Sequence, residues 1–371
     1  MRLSGKIGKM SFQNIYKGKK VLITGHTGFK GSWMAIWLKE LGADVYGYAL
    51  SPTSDLDNFV GCNLAIEINH RVGDVREGAA LKSYFNEVQP DFAFHLAAQP
   101  LVLLSYSDPV NTFDTNLMGT VNFFEAVRAT PSIKAAVNVT TDKCYDNKEW
   151  VWGYREDEPM GGKDPYSASK GCSELITNSY IESFFKKEGT CSVASARAGN
   201  VIGGGDWAAD RIIPDYFRAV KESQKLEIRN PHATRPWQHV LEPLSGYLAL
   251  GAMLFSEGKK FSGGWNFGPE DVENFSVKQL IDNMLVHDKT GGYTIPQSVE
   301  KPHEANFLKL DISKAMTYLK WRPVLNFDET VLFTLSGYQD DIKGDNLFIK
   351  RKHQIASYTE KASKKNIEWA I

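Results

Sequence analysis

The stretch that most limits the possible folds is short: Lys20-Val-Leu-Ile-Thr24 runs directly into Gly25-His-Thr-Gly28-Phe-Lys-Gly31. An apolar, β-branched run of this length reads as a buried strand. After the glycines, Trp33, Ile36, Trp37 and Leu41 recur at the spacing of one helix face. Strand, glycine-rich turn and helix in immediate succession let a backbone cradle a pyrophosphate. Glycines permit the tight turn and the close approach, and the free N–H groups of the helix N-terminus point at the phosphates. Such a unit predicts an α/β fold, a doubly wound parallel sheet of Rossmann type.

The following segments extend that pattern. Ala43 to Leu50 reads as a second strand, but the acid that ordinarily holds an adenosine ribose is missing from its end. Leu50-Ser51 stands there, Asp55 and Asp57 come several residues late, and Asp44 lies at the wrong end. No Lys or Arg waits for a 2′-phosphate either, so NAD is favoured, with unusual ribose contacts. Arg71-Val-Gly-Asp74-Val75 ends a third strand, and Phe92 to Gln99 is a fourth that closes in small residues. Pro109 opens a long helix with Phe113, Leu117, Phe124 and Val127 on its apolar side.

Val137-Asn-Val-Thr-Thr-Asp-Lys-Cys-Tyr145 has the look of a parallel strand at its carboxyl end, where open α/β sheets place their ligands. Thr141, Asp142 and Lys143 are therefore expected in a crevice. Pro165 then precedes a helical pattern in which Tyr166 and Lys170 lie four apart, on one face. An ammonium beside a phenol favours phenolate and lowers its pKa toward working pH, so such a tyrosine can take a proton from a sugar hydroxyl. The same spacing suits two side chains lying along a helix surface; the rest of the chain decides between them. Cys144 reads as a small residue packed under the site rather than a nucleophile.

From Ser192 the pattern changes. Ser195 to Asp206 is a strand that leaves the sheet through a glycine-rich loop, and 207–230 reads as a helix of a second, smaller lobe. Thr234 to Val240 returns to the first lobe, followed by a helix around Pro243 to Ser256. The expected division is 1–197 with 236–262 as the dinucleotide domain, 198–235 and 263–340 as a C-terminal substrate lobe, and 341–371 as a polar tail, solvated or frayed. A chain of 371 residues suits this division. A formal net charge of -1 makes no electrostatic case for nucleic acid or a membrane, and no apolar run approaches the ~20 residues needed to span a bilayer. The basic first 20 residues lack a signal-peptide core and read as a short frayed leader, with Met10 an alternative start. Four cysteines without Cys-x-x-Cys or His spacing suit a reducing compartment and no metal; a cytoplasmic protein is expected.

Together the segments resemble the extended short-chain dehydrogenase/reductases that act on nucleotide sugars, from Lys19 to Val331. Within them the chain is most similar to the CDP-glucose branch of the 4,6-dehydratases. The resemblance rests on Gly25-His-Thr-Gly-Phe-Lys-Gly-Ser-Trp33, Thr141-Asp-Lys-Cys-Tyr145, Tyr166-Ser-Ala-Ser-Lys170, Ala198 to Trp207, Arg235-Pro-Trp-Gln-His239 and Pro302-His-Glu-Ala305. It implies that Gly25, Thr27, Gly28, Phe29, Lys30, Gly31, Asp74, Val75, Ala97, Ala98, Tyr166 and Lys170 line NAD. It implies that Gln99, Thr141, Asn200, Arg211, Arg235 and His303 hold the sugar nucleotide, and that Asn116 is structural.

The implied chemistry is redox-neutral. Tyr166, aided by Lys170 and Thr141, removes the 4-hydroxyl proton as hydride leaves C4 for bound NAD. Loss of the C5 proton and the 6-hydroxyl, protonated by Asp142, expels water, and hydride returns to C6. Related dTDP-glucose and GDP-mannose enzymes carry Glu where this chain has Lys143, so Lys143 is either a base of lowered pKa or an enolate stabiliser. Pairing of Lys143 with a surface acid is the bland alternative. The resemblance further implies CDP-glucose as substrate, a homodimer or dimer of dimers through helices near 110–128 and 167–185, and deoxysugar supply for a bacterial surface polysaccharide such as O-antigen. A nucleotide-sugar 4-epimerase, a dehydratase for another NDP-hexose and a non-enzymatic NAD-binding regulator are the competing readings.

Overall fold

The computed structural model describes residues 11–270, 275–296, 308–344 and 346–371. Seven parallel strands form the central sheet: β1 Lys20–Thr24, β2 Asp44–Ala49, β3 Asn69–Val72, β4 Phe92–His95, β5 Ala135–Val139, β6 Ser192–Ala198 and β7 Gly263–Phe267. Their spatial order is β7-β6-β5-β4-β1-β2-β3. The order reverses between β1 and β4, which puts the ligand crevice of a doubly wound sheet at the carboxyl ends of those two strands. The longer helices are α1 Phe29–Glu40, α2 Gly78–Val88, α3 Gly119–Arg128, α4 Pro165–Tyr180, α5 Ile212–Lys221, α6 Leu241–Glu257, α7 Val277–His287, α8 Phe327–Lys343 and α9 Leu347–Lys364.

Alternation along each strand feeds two cores. Val21, Ile23, Phe92, Phe94, Val137 and Val139 pack on one face against Trp33 and Trp37 of α1 and against α6. Leu22, Ala93 and Ala136 point the other way, to Leu81, Phe85, Phe123 and Phe124. A separate cluster of Ile213, Phe217, Trp237, Leu280, Leu335 and Tyr338 is the core of the smaller lobe. Its short strands pair only in twos, as with Gln238–His239 against Val201–Ile202.

Four expectations change. Residues 263–267 belong to the central sheet rather than the substrate lobe, because β7 pairs in parallel with Ala194–Ala198 along its whole length. Residues 341–371 are no polar tail: α9 buries Arg351, Ile355, Tyr358 and Ala362, and Tyr358 stacks on Trp369. The leader is docked from Phe12 onward, since Phe12 and Tyr16 are buried and Phe12 stacks on Trp369 at 5.0 Å. The helix expected over 207–230 contracts to α5, which ends before Ser223 at positive φ and the short strand Leu226–Glu227. Among the described residues no helix is long and apolar enough to cross a membrane.

Candidate active site

The glycine turn after β1 has the shape a dinucleotide requires. Gly25 has φ +78°, and a Cβ there would lie 2.5 Å from the Ala97 backbone nitrogen. Only glycine lets the turn close on the chain leaving β4. A Cβ on Gly31 would sit 2.2 Å from the Gly25 carbonyl, so α1 starts directly on the turn. Gly28 is the N-cap of α1 and supplies no capping side chain, leaving the first N–H groups of the helix for an anion. These residues fit NAD: Gly25, Gly28, Phe29 and Gly31 would hold its pyrophosphate, with Ala97 and Ala98 beside them.

The neighbouring residues are less uniform. Thr27 donates its hydroxyl to the Leu50 carbonyl at 3.0 Å and so ties the turn to the end of β2. Asp57 is used in the following loop, where it accepts from the Thr53 and Ser54 N–H groups. Asp74 is held by Arg76 through its side chain, and Val75 is buried under Gly119. Lys30 does not stay at the turn. It interacts electrostatically with Asp142, Lys143, Lys170 and Arg211, and burial pushes its ammonium down to about 7.

Beyond β5 the backbone makes one tight turn, Asp142–Cys144, capped by Thr141. The Thr141 hydroxyl donates to Asp142 Oδ1 at 2.9 Å, accepts weakly from the Lys143 N–H at 3.4 Å, and stands near enough to the Tyr166 phenol to pull its pKa down. It therefore lies between phenol and carboxyl group. Asp142 is buried, and its Oδ1 lies 3.8 Å from Lys143 Nζ. Lys143 thus faces the buried acid and not a surface one. Cys144 is fully buried, and burial pushes its thiol well up, which removes it as a nucleophile.

The turn meets α4, whose N-cap Asp164 accepts from the Ser167 N–H at 2.9 Å and whose first residue is Pro165. Tyr166 and Lys170 share a buried face, as their spacing predicts. The electrostatics differ from expectation. Burial pushes the phenol up to about 12, with the nearby Thr141 hydroxyl and the Arg211 charge pulling the other way. Burial likewise pushes Lys170 down to about 8, and its Nζ donates to the Val139 carbonyl at 3.4 Å. Desolvation of a phenol enclosed by protein outweighs the cations near it.

Of the residues expected to hold substrate, Asn200 has a buried Oδ1 with no partner among the described residues, and Arg211 Nη1 pairs with the buried Asp206 at 2.8 Å. Arg235 donates to the Thr234 carbonyl and precedes Pro236, which packs on Gly199 beside Asp142. Gln99 is engaged within its own loop. Its amide donates to Thr112 at 2.8 Å and to the Leu101 carbonyl at 3.1 Å, and accepts from the Leu101 N–H at 2.6 Å, so it braces its own loop. Asn116 clamps the Gln99 backbone from a π-helical turn, Asp114–Met118, and donates to Ser169 of α4. His303 lies outside the described residues.

Sequence reasoning missed the ion pair behind the site. Arg197, one residue before the carboxyl end of β6, bonds Glu174 at 2.8 Å, the Tyr145 hydroxyl at 2.5 Å and the Glu156 carbonyl at 3.0 Å. Glu174 sits one turn beyond Lys170 and also accepts from Thr140 and Ser195. One guanidinium thereby fixes both the turn that carries Asp142 and the helix that carries Lys170. An arginine inside an otherwise small and apolar strand was the available signal.

Residues 22–332 match the family model described as GDP-mannose 4,6 dehydratase. The chain belongs to that dehydratase family. A curated relative, CDP-glucose 4,6-dehydratase of Salmonella typhimurium, is 48% identical over 350 residues, which covers 93% of this chain and 98% of that one. Dehydratases and epimerases share the fold. The dTDP-glucose 4,6-dehydratase of Bacillus anthracis, solved in complex with NAD, is 20% identical with a TM-score of 0.71 and covers 90% of this chain and 100% of that one. UDP-glucose-4-epimerase of Stenotrophomonas maltophila is 18% identical with a TM-score of 0.76, covering 88% and 99%.

Proposed function

We propose that this chain is a lyase that converts CDP-D-glucose to CDP-4-dehydro-6-deoxy-D-glucose and water. The observation that carries this reading is the Thr141 hydroxyl, which links Tyr166 to a second acid–base group, Asp142. A 4-epimerase needs the tyrosine alone; a dehydratase also needs an acid for the departing hydroxyl. The choice of CDP-glucose is supported by the near full-length relative.

Bound NAD supplies an acceptor that takes the C4 hydride and returns it at C6. Tyr166 takes the 4-hydroxyl proton, with Thr141 beside the phenol and Lys170 supplying positive charge one turn below. The resulting ketone acidifies C5. Lys143, beside Asp142 and partly exposed to the crevice, takes the C5 proton as base, and the ammonium so formed stabilises the enolate. Asp142 gives a proton to the 6-hydroxyl as it leaves. Asn200, Arg211 and Arg235 bind the sugar nucleotide, the arginines by charge-assisted bonds to its diphosphate.

A homodimer is supported by apolar side chains left exposed on the helices near 110–128 and 167–185, with Val110 78% and Leu175 60% accessible. A cytoplasmic place and a role in supplying deoxysugar for a surface polysaccharide such as O-antigen complete the proposal. The test is incubation with CDP-glucose and NAD in deuterium oxide, followed by NMR. A 4-keto product labelled at C5 is expected. A 4-epimer without C5 label would make the chain an epimerase, and turnover of another nucleotide's hexose alone would remove CDP.

A further inference from the structure

Arg211, read above as a ligand of the substrate diphosphate, depends on a glycine loop that needs outside support to keep one conformation. Gly203, Gly204 and Gly205 run in succession before Asp206, and three glycines lose more entropy on ordering than any other tripeptide. Asp206 is buried and fixes the Arg211 guanidinium at 2.8 Å. A buried carboxylate of this kind needs its backbone placed for it.

The placement comes from α1 and, chiefly, from α8 and α9. Trp33 of α1 donates to the Gly204 carbonyl at 3.0 Å. The Gly205 N–H donates to Asp341 Oδ2 at 2.7 Å, and the Tyr338 hydroxyl donates to the Asp206 carbonyl. Both partners are on α8. Behind them stands Arg351 of α9, fully buried, which pairs with Asp341, donates to the Gly337 carbonyl at 3.1 Å and to Asn58 Oδ1 at 2.8 Å. A Cβ on Gly204 would lie 2.5 Å from Gly337 and 2.8 Å from Arg351 Nη1, so the loop is seated against the clamp without a gap.

We propose that Tyr338, Asp341 and Arg351 are positioning residues for sugar-nucleotide binding: they clamp Gly204–Asp206 and, through Asp206, aim Arg211 at the diphosphate. The inference rests on the reading of Arg211 given above. It makes the last two helices part of substrate recognition, although neither α9 nor the clamp touches the reacting atoms.

The test is a double-mutant cycle on the full chain with CDP-glucose and saturating NAD. Tyr338→Phe removes one hydroxyl from the clamp and is expected to raise KM about fivefold, the worth of one hydrogen bond, with kcat little changed. Arg211→Ala alone is expected to raise KM on the order of thirtyfold. Adding Tyr338→Phe to Arg211→Ala is expected to cost nothing more, since the clamp then has nothing to aim. Additive effects on KM, or a fall in kcat without a rise in KM, overturn the clamp while leaving Arg211 as a ligand. An Arg211→Ala variant with unchanged KM overturns the reading of Arg211, and the clamp with it. Arg351→Met should reproduce the Tyr338→Phe pattern; if it does not fold, Tyr338→Phe still decides.

Discussion

Adding one methyl group at Gly199 tests whether Asp142 is the acid. Gly199 is not left-handed, so alanine brings no backbone strain. Its Cβ would lie 3.0 Å from Asp142 Oδ2 and 2.9 Å from Pro236 Cγ. Carbon contacts settle near 3.5 Å, so about 0.5 Å must be found. Pro236 and Asp142 are both buried, and Asp142 is tethered by the Thr141 hydroxyl, so the two share the displacement. Misplacement of a reacting group by about 1 Å costs on the order of 100-fold. Gly199→Ala should therefore lower kcat roughly tenfold and destabilise the fold by about 1 kcal/mol, the lower end for an added methyl. The step affected should be loss of water. In deuterium oxide, CDP-glucose recovered at partial conversion should carry deuterium at C5 in the variant more than in the parent, because enolisation proceeds while elimination lags. NMR of recovered substrate, alkaline absorbance of the keto product and calorimetry give the three readings. A Gly199→Ala enzyme with a lowered melting point but unchanged kcat and no C5 label would refute the assignment of Asp142.

Three further outcomes follow from the geometry. Tyr166→Phe should cut kcat about 10³-fold, in the range of lost acid–base catalysis, with KM for CDP-glucose nearly unchanged; steady-state kinetics showing the loss in KM instead would make Tyr166 a binding residue. Arg197→Met leaves Glu174 buried without its cation and should destabilise by about 3–5 kcal/mol. Arg197→Met with Glu174→Gln should recover most of that in urea unfolding, and no recovery would contradict the pairing. Glu242 is held at about 7, above its ordinary 4.5, chiefly by burial, so the folded chain keeps a proton that the unfolded chain has already lost. Stability should fall by about 3 kcal/mol as pH rises from about 4.5 to about 7 and then level off. Glu242→Gln should remove that decline, and equal pH dependence in parent and variant would rule it out.

The glycine turn, the Asp142 turn and the Tyr166–Lys170 face were legible because each carries its period and its chemistry within one short segment. What was not legible depends on partners far along the chain. β7 reads Gly-Gly-Trp-Asn-Phe, a poor strand by composition, and becomes one because Ala194–Ala198 lies open beside it. Its Gly264 is needed there, since a Cβ would lie 2.4 Å from the Arg197 guanidinium. α9 carries Lys350, Lys352, Lys361 and Lys364, so its average is polar, while Ile355, Tyr358 and Ala362 form a narrow stripe that docks on the first core. Gln99 stands where a substrate ligand could stand, but the direction its amide takes is set by Thr112 and Leu101. Arg351 is the sharpest case. Local pattern ranks it with the lysines around it, and it takes Asp341 and the Gly337 carbonyl on α8 and Asn58 beside α1 to make a fully buried guanidinium tolerable. A charge so placed is costly to keep without a task, and the loop that carries Asp206 and Arg211 is what it holds.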